Sequence, residues 1–291
     1  MRKIFLSLAA LTIAAAANAF SLELRNTDLG KSIDITTAVD NDDVLGDGKV
    51  AVTFDAENKT INLTFNNATL KSNGNNELFK FTYDANYLNV NVELKGKNYM
   101  IGDGQWSKPI LVQGPVDKEK GVARVTFLGG AGAELNISGQ TLLIQTNNNA
   151  TLTFGKDEKN PFQLNITTTS AGENPQPVFH AGAGTGDESE LALNCNVKIT
   201  TTGANQITYK IAKLTIPEKC KIKPADVTIK DNCFVKDDAP YKGDLELVQA
   251  KPAAINSVVN SNAVSGKVVR NGQLFILRDG KTFTVTGQEV K

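Results

Sequence analysis

Chemistry-bearing side chains are scarce in this chain. Three cysteines, one histidine, one tryptophan and two methionines occur in 291 residues. The single histidine, His180, excludes histidine-rich metal sites, and any Ser–His or Cys–His mechanism would have to pass through it. It stands in Pro177-Val178-Phe179-His180-Ala181-Gly182, with no nucleophile pattern beside it, and reads as a loop histidine. An excess of positive charge is missing too. Lys and Arg number 31 against 31 Asp and Glu, so no basic patch is available for nucleic acid. No apolar run is long enough to span a bilayer, which excludes a transmembrane segment. Helical periodicity is absent beyond the first twenty residues. Only nine prolines occur, while Asn, Thr, Val, Ile and Gly are plentiful, which suits an all-β chain with many turns.

The first residues read as an address. Met1-Arg2-Lys3 precedes an apolar run from Ile4 to Ala17, and Ala17-Asn18-Ala19 is a small-x-small cleavage signal. We therefore expect residues 1–19 to be a signal peptide cleaved after Ala19. Loss of Arg2 and Lys3 leaves 29 basic against 31 acidic residues. No cysteine lies near the cleavage signal, so the precursor is not expected to carry a lipid anchor.

What is abundant is a short phrase, an asparagine flanked by apolar residues. It appears as Ile61-Asn62-Leu63, Leu88-Asn89-Val90, Leu135-Asn136-Ile137, Leu164-Asn165-Ile166 and Leu193-Asn194-Cys195. The asparagines are 27, 47, 29 and 29 residues apart, and Ile110-Leu111-Val112 falls near the middle of the long step. Alternate side chains of a strand point to opposite faces, so the aliphatics face inward and the amides outward. Recurrence every two to three dozen residues points to a solenoid of stacked coils. The alternative is an antiparallel sandwich in an Asn-rich protein.

The first full unit carries a resemblance. Phe54-Asp55-Ala56-Glu57-Asn58-Lys59-Thr60-Ile61-Asn62-Leu63-Thr64-Phe65-Asn66-Asn67-Ala68-Thr69-Leu70 resembles the opening of secreted bacterial right-handed β-helix proteins described as carbohydrate-binding-domain proteins. Val92-Glu93-Leu94-Lys95-Gly96-Lys97-Asn98 is similar to their recurrent leucine-x-Gly-x-Asn corner. The resemblance covers roughly residues 48–235 and implies a parallel β-helix and, more weakly, a glycan ligand. Later units are expected at Ala133–Ile144, Ala150–Phe154, Phe162–Thr169, Leu191–Thr200, Ile207–Ile216 and Val227–Val235, giving six to eight coils.

Catalytic and metal signatures are weak. Asp40-Asn41-Asp42-Asp43 with Gly46-Asp47-Gly48 is acidic enough for calcium but lacks the helix-loop-helix spacing, and reads as a solvated loop. Polysaccharide hydrolases on β-helices carry Asn-Thr-Asp, Asp-Asp and Gly-His-Gly. Here Asn26-Thr27-Asp28, Asp42-Asp43, Asp237-Asp238 and His180 fail in order and spacing. Outward amides cannot transfer protons at neutral pH. The glycine loops Gly129–Gly132 and Ala181–Gly186 precede no helix and cradle no phosphate, so no cofactor is expected. Cys195, Cys220 and Cys233 sit on the inward phase of their strands. They fit no zinc spacing and read as buried thiols, with a Cys220–Cys233 disulfide as the alternative in an exported protein.

Sugar rings stack on aromatics, and Tyr83, Tyr87, Tyr99 and Trp106 cluster within 24 residues rich in Asn and Lys, which makes them the expected ligand-binding patch. Residues 249–266 read as a linker. Beyond it, Asn271-Gly272 and Asp279-Gly280 are hairpin turns between alternating strands, a β-meander over 267–291. The segment Ile276-Leu277-Arg278-Asp279-Gly280-Lys281-Thr282-Phe283, with Gly287-Gln288-Glu289-Val290-Lys291, resembles the tails of surface proteins exported by the type IX route, which implies attachment machinery as a partner. The expected whole is a signal peptide, an all-β right-handed parallel β-helix over 20–248, a linker and a small meander. The expected role is a secreted or surface-exposed, non-catalytic scaffold for glycans or a surface partner. A polysaccharide lyase or hydrolase and a purely structural surface protein are the alternatives.

Overall fold

A computed structural model describes residues 22–28, 32–37, 50–55, 57–72, 77–83, 88–102, 104, 107–140, 144–156, 161–169, 176–182, 188–202, 205–249, 265–270, 273–278 and 281–290. The expected leader, the acidic stretch 40–48 and the linker residues 250–264 lie outside them. The chain divides into two units between Ala250 and Lys251.

The first unit opens with three strands, β1 (Leu22–Asp28), β2 (Ser32–Thr37) and β3 (Val50–Asp55). Five successive triplets follow. They are β4 (Thr60–Asn66), β5 (Thr69–Ser72) and β6 (Glu77–Thr82); β7 (Asn89–Lys95), β8 (Lys97–Gly102) and β9 (Lys108–Gln113); and β10 (Ala123–Gly129), β11 (Glu134–Gly139) and β12 (Ile144–Asn147). The last two are β13 (Ala150–Phe154), β14 (Gln163–Thr168) and β15 (Phe179–Ala181), then β16 (Glu190–Leu193), β17 (Asn196–Thr200) and β18 (Thr208–Tyr209). Equivalent members pair in parallel, so three sheets line a β-solenoid. Sheet 1 carries β4, β7, β10, β13 and β16, sheet 2 carries β5, β8, β11, β14 and β17, and sheet 3 carries β6, β9, β12, β15 and β18. The chain climbs about four turns, fewer than the six to eight coils expected.

Strict alternation makes these strands. In β11 and β14 every second residue is buried, and Leu135, Ile137, Leu164 and Ile166 are almost fully enclosed. In-register pairing stacks like on like, as in Val125 on Leu152 and Ile137 on Ile166. A row of phenylalanines fills the interior: Phe79, Phe127, Phe154 and Phe179 follow one another at ring-centroid distances of 5.7, 5.2 and 6.4 Å. Each such ring removes an apolar side chain from water, worth roughly 1.5–3 kcal/mol.

Corners are made by asparagine and glycine. Asn98, 1% exposed, points inward. Its Oδ1 accepts from the Ala68 amide at 2.9 Å, and its Nδ2 donates to the Lys95 and Glu134 carbonyls at 3.2 and 3.3 Å. Gly96 has φ +65°, and a Cβ there would meet the Asn67 carboxamide at 2.2 Å. The leucine-x-Gly-x-Asn corner is therefore a clamp joining consecutive rungs.

The ends differ from the middle. β2 and β3 pair antiparallel with β1 and β4. After β19 (Lys213–Thr215) and β20 (Lys221–Lys223), the strands β21 (Thr228–Lys230), β22 (Cys233–Lys236) and β23 (Ala239–Pro240) form a small antiparallel sheet. The expected unit Val227–Val235 is thus a hairpin, not a coil. Its turn is Asp231-Asn232, both at positive φ, and Asp237-Asp238 makes the next such turn. β24 (Leu245–Val248) then returns antiparallel to β17 and β20. The second unit is one antiparallel sheet of β25 (Ser265–Arg270), β26 (Gln273–Arg278), β27 (Lys281–Thr284) and β28 (Glu289–Val290). No helix among the described residues is long and apolar enough to cross a membrane.

Candidate functional site

Where a strand alternates, as in β7, β11 and β14, its polar phase faces outward, so the sheets carry rows of side chains one rung apart. On sheet 2 the central row runs Tyr99, Asn136, Asn165, Lys198. The two amides are locked together. Asn165 Nδ2 donates to Asn136 Oδ1 at 2.8 Å, Asn136 Nδ2 donates to the Asn98 carbonyl at 3.2 Å, and Gln163 Nε2 donates to Asn165 Oδ1 at 3.1 Å. An amide nitrogen carries two hydrogens, so each asparagine keeps an N–H to offer. Tyr99, 38% exposed, stands in register between Thr69 and Asn136. One neighbouring row is Ile101, Ser138, Thr167, Thr200, and the other is Lys97, Glu134, Gln163, Asn196. The single carboxylate in these three rows, Glu134, is held by Lys97 at 3.3 Å.

Sheet 1 carries a second amide ladder, in which Asn91 Nδ2 donates to Asn62 Oδ1 at 3.1 Å. Beside it Thr64 donates to Glu93 at 3.4 Å, and Lys95 pairs with Glu93 at 3.2 Å. Asn62, Thr64, Asn91, Glu93 and Leu128-Gly129-Gly130 line a shallow groove of about 380 Å³. The five phrase asparagines therefore do not form one column. Asn62 and Asn89 belong to sheet 1, Asn136 and Asn165 to sheet 2, and Asn194 lies at the corner before β17. Asn62 is opposite Asn91 rather than Asn89. All five are half-buried, with their flanking aliphatics buried except Leu88.

Sheet 3 stacks Gln145, His180 and Tyr209 in register. His180 is a strand residue, not a loop residue. Its ring lies on that of Tyr209 at 5.5 Å, and the Lys210 ammonium sits 5.4 Å from the Tyr209 centroid. His180 Nδ1 is buried without a hydrogen-bond partner among the described residues. Burial, reinforced by the Lys210 and Lys108 cations, holds the imidazole below its usual range. The sequence held a signal for this pair: His180 and Tyr209 are 29 residues apart, the same step that separates Asn136 from Asn165.

The expected aromatic patch divides. Tyr83, just beyond β6 at the end of a sheet 3 strand, packs against the core and donates its hydroxyl to the Lys120 carbonyl at 2.8 Å. Tyr99 belongs to sheet 2. Tyr87 and Trp106 lie outside the described residues. All three cysteines are free thiols here, and Cys195 is fully buried. Burial, with Cys220 nearby, pushes its thiol well up. Gln249 reaches the Cys195 carbonyl at 3.0 Å and Cys220 Sγ at 4.0 Å, whereas Cys233 Sγ contacts the Thr208 carbonyl at 3.4 Å. Cys220 and Cys233 thus have different surroundings. Asp238 pairs with Lys230 at 2.7 Å, so the Asp-Asp pair serves a turn. Among the described residues no group of three His, Cys, Asp or Glu is placed to hold a metal ion.

Compared with known proteins, the chain matches no family profile, no curated protein and no solved structure, so its function has to be argued from the site's own geometry.

Proposed function

We propose that this protein is an exported, surface-exposed binding or adhesion scaffold without catalysis, that its ligand is a glycan, and that it binds on the outward face of sheet 2. The observation that carries this reading is the row Tyr99, Asn136, Asn165, Lys198. It places an exposed aromatic ring next to two amides fixed by hydrogen bonds. A pyranose packs its C–H face on an aromatic ring and pairs its hydroxyls with amides. Because the amides are already oriented, little side-chain entropy is lost when they bind. Rungs recur at roughly 4.8 Å, comparable to one sugar ring, so a polysaccharide lying along the row meets a repeating donor. The same rows argue against proton transfer. Their amides cannot act as acid or base, and Glu134 is tied to Lys97. The leader-like first residues and the surface-protein-like tail support export.

A glycan array probed with residues 20–291 tests the reading. Binding of at least one glycan is expected. Tyr99→Ala should weaken that binding by about 1 kcal/mol or more, as loss of a stacking anchor does, while Tyr83→Ala leaves it unchanged. Equal binding by wild type and Tyr99→Ala to every recognised glycan overturns the assignment to sheet 2. Turnover of a polysaccharide overturns the non-catalytic reading.

A further inference from the structure

We infer that the groove on sheet 1 is a second binding site, on a different sheet from the Tyr99 row, and that it takes a neutral hexose through two adjacent hydroxyls. The inference rests on the reading that the ligands are glycans. Its floor is the Asn62–Asn91 ladder. The bond from Asn91 Nδ2 to Asn62 Oδ1 fixes both carboxamides. Among the described residues, no hydrogen bond uses Asn62 Nδ2 or Asn91 Oδ1. A donor and an acceptor therefore stand on consecutive rungs, the complement of a vicinal diol, in which each hydroxyl both gives and accepts a hydrogen bond.

The walls set the class of sugar. On one side Glu93, its side chain 54% exposed, offers carboxylate oxygens beside the hydroxyl of Thr64. Lys95 pairs with this carboxylate at 3.2 Å, so the wall offers hydrogen bonds to a neutral sugar and no unpaired cation to an anionic one. On the other side Leu128 stands opposite Glu93 in register and supplies an apolar contact for the C–H face. Gly130 completes that wall, and a Cβ built there meets nothing within 4 Å. The space beside it is open, so a side chain can be added there at the rim of the groove.

Side-chain amide resonances in NMR spectra of residues 20–291 test the site directly, because Asn62 and Asn91 report the groove while Asn136 and Asn165 report sheet 2. The probes are the methyl glycosides of mannose, galactose and glucose, with galacturonate as the anionic comparison. At least one neutral glycoside is expected to shift the Asn62 and Asn91 amides, with galacturonate weaker by about tenfold or more. Gly130→Phe should abolish the shifts. Glu93→Gln should weaken binding by about tenfold, the loss of a charge-assisted hydrogen bond. Tyr99→Ala should leave the groove shifts in place. The inference falls if Asn62 and Asn91 stay silent with all three neutral probes, if their shifts survive Gly130→Phe, or if galacturonate binds equally well. A response at Asn136 and Asn165 with silence at Asn62 and Asn91 overturns this site and leaves sheet 2 standing. The reverse pattern upholds this site and overturns sheet 2.

Discussion

A single residue type does three different jobs in this molecule. Outward asparagines, such as Asn136 and Asn165, form rungs of amide ladders. Inward ones clamp corners: Asn98 and Asn149 are each 1% exposed, and Asn149 donates to the Pro115 carbonyl at 2.8 Å. A third group, including Asn67 at φ +52° and Asn148 at φ +57°, takes the left-handed conformation that asparagine tolerates better than most residues. Removing a clamp should be costly, since Asn98→Ala strands one buried amide and at least two carbonyls. We expect a loss of roughly 3 kcal/mol from buried groups left unpaired, measured by urea unfolding. A loss below about 1 kcal/mol would mean that water replaces the clamp. His180 gives a pH signature. Its folded-state pKa lies below the usual 6.5, so the unfolded chain binds the proton more readily. The stability contributed by the neutral ring is complete above that value and is lost as pH falls through the lower folded one. Stability should therefore drop on acidification below pH 6.5 with a slope of at most about 1.4 kcal/mol per pH unit from this group. His180→Gln should flatten that part of the profile, as read from urea midpoints across the range.

At the scale of the element, the strand is the legible unit and the sheet is not. Alternation in Ala133–Ile144 and Phe162–Thr169 predicts which side chains are enclosed, because period two is local and each strand carries its own pattern. Assignment of strands to faces depends on corner lengths, which no alternation encodes. The 47-residue step from Asn89 to Asn136 joins β7 on sheet 1 to β11 on sheet 2, one coil and one corner further on. Two phrases that read alike thus face different ways. For the same reason Tyr83 and Tyr99 are close in sequence but Tyr83 follows a strand of sheet 3 while Tyr99 lies on sheet 2, whereas Asn165 and Lys198, 33 residues from each other, share a row with Tyr99. Of the proposed site, Tyr99 is legible in the sequence; the amides beside it are legible as residues but not as its neighbours. The inward rows offer a check on stacking. Phe127 lies between Phe79 and Phe154, fully enclosed. Phe127→Ala should destabilise the solenoid by about 3–5 kcal/mol, and Phe127→Leu by distinctly less. Equal effects in thermal unfolding would show that the ring itself, rather than the volume it fills, carries the stability.

On the scale of the whole chain, the two units have unlike resources. The first encloses a continuous apolar core, whereas no described side chain of the second is fully buried, and Val269 and Val285 are 64% and 62% exposed. A single small sheet of that kind is marginal by itself. Trp106, the one tryptophan, falls within the first unit, so its fluorescence follows the unfolding of that unit. Truncation after Ala250 should leave the Trp106-detected urea midpoint unchanged. A lowered midpoint or aggregation would make the segment a cap for the solenoid. The ends of the solenoid carry a further consequence. A stack of parallel rungs exposes, at each end, backbone donors and acceptors in the phase of the next rung. Nothing in such a stack says where to stop, and a second molecule is the natural continuation. Here β2 and β3 arrive in the opposite direction, β24 turns back against β17, and β18 and β19 are only two and three residues long. Reversed or very short terminal strands offer no continuing ladder. The architecture is that of a fibre held to finite length by the strands at its ends.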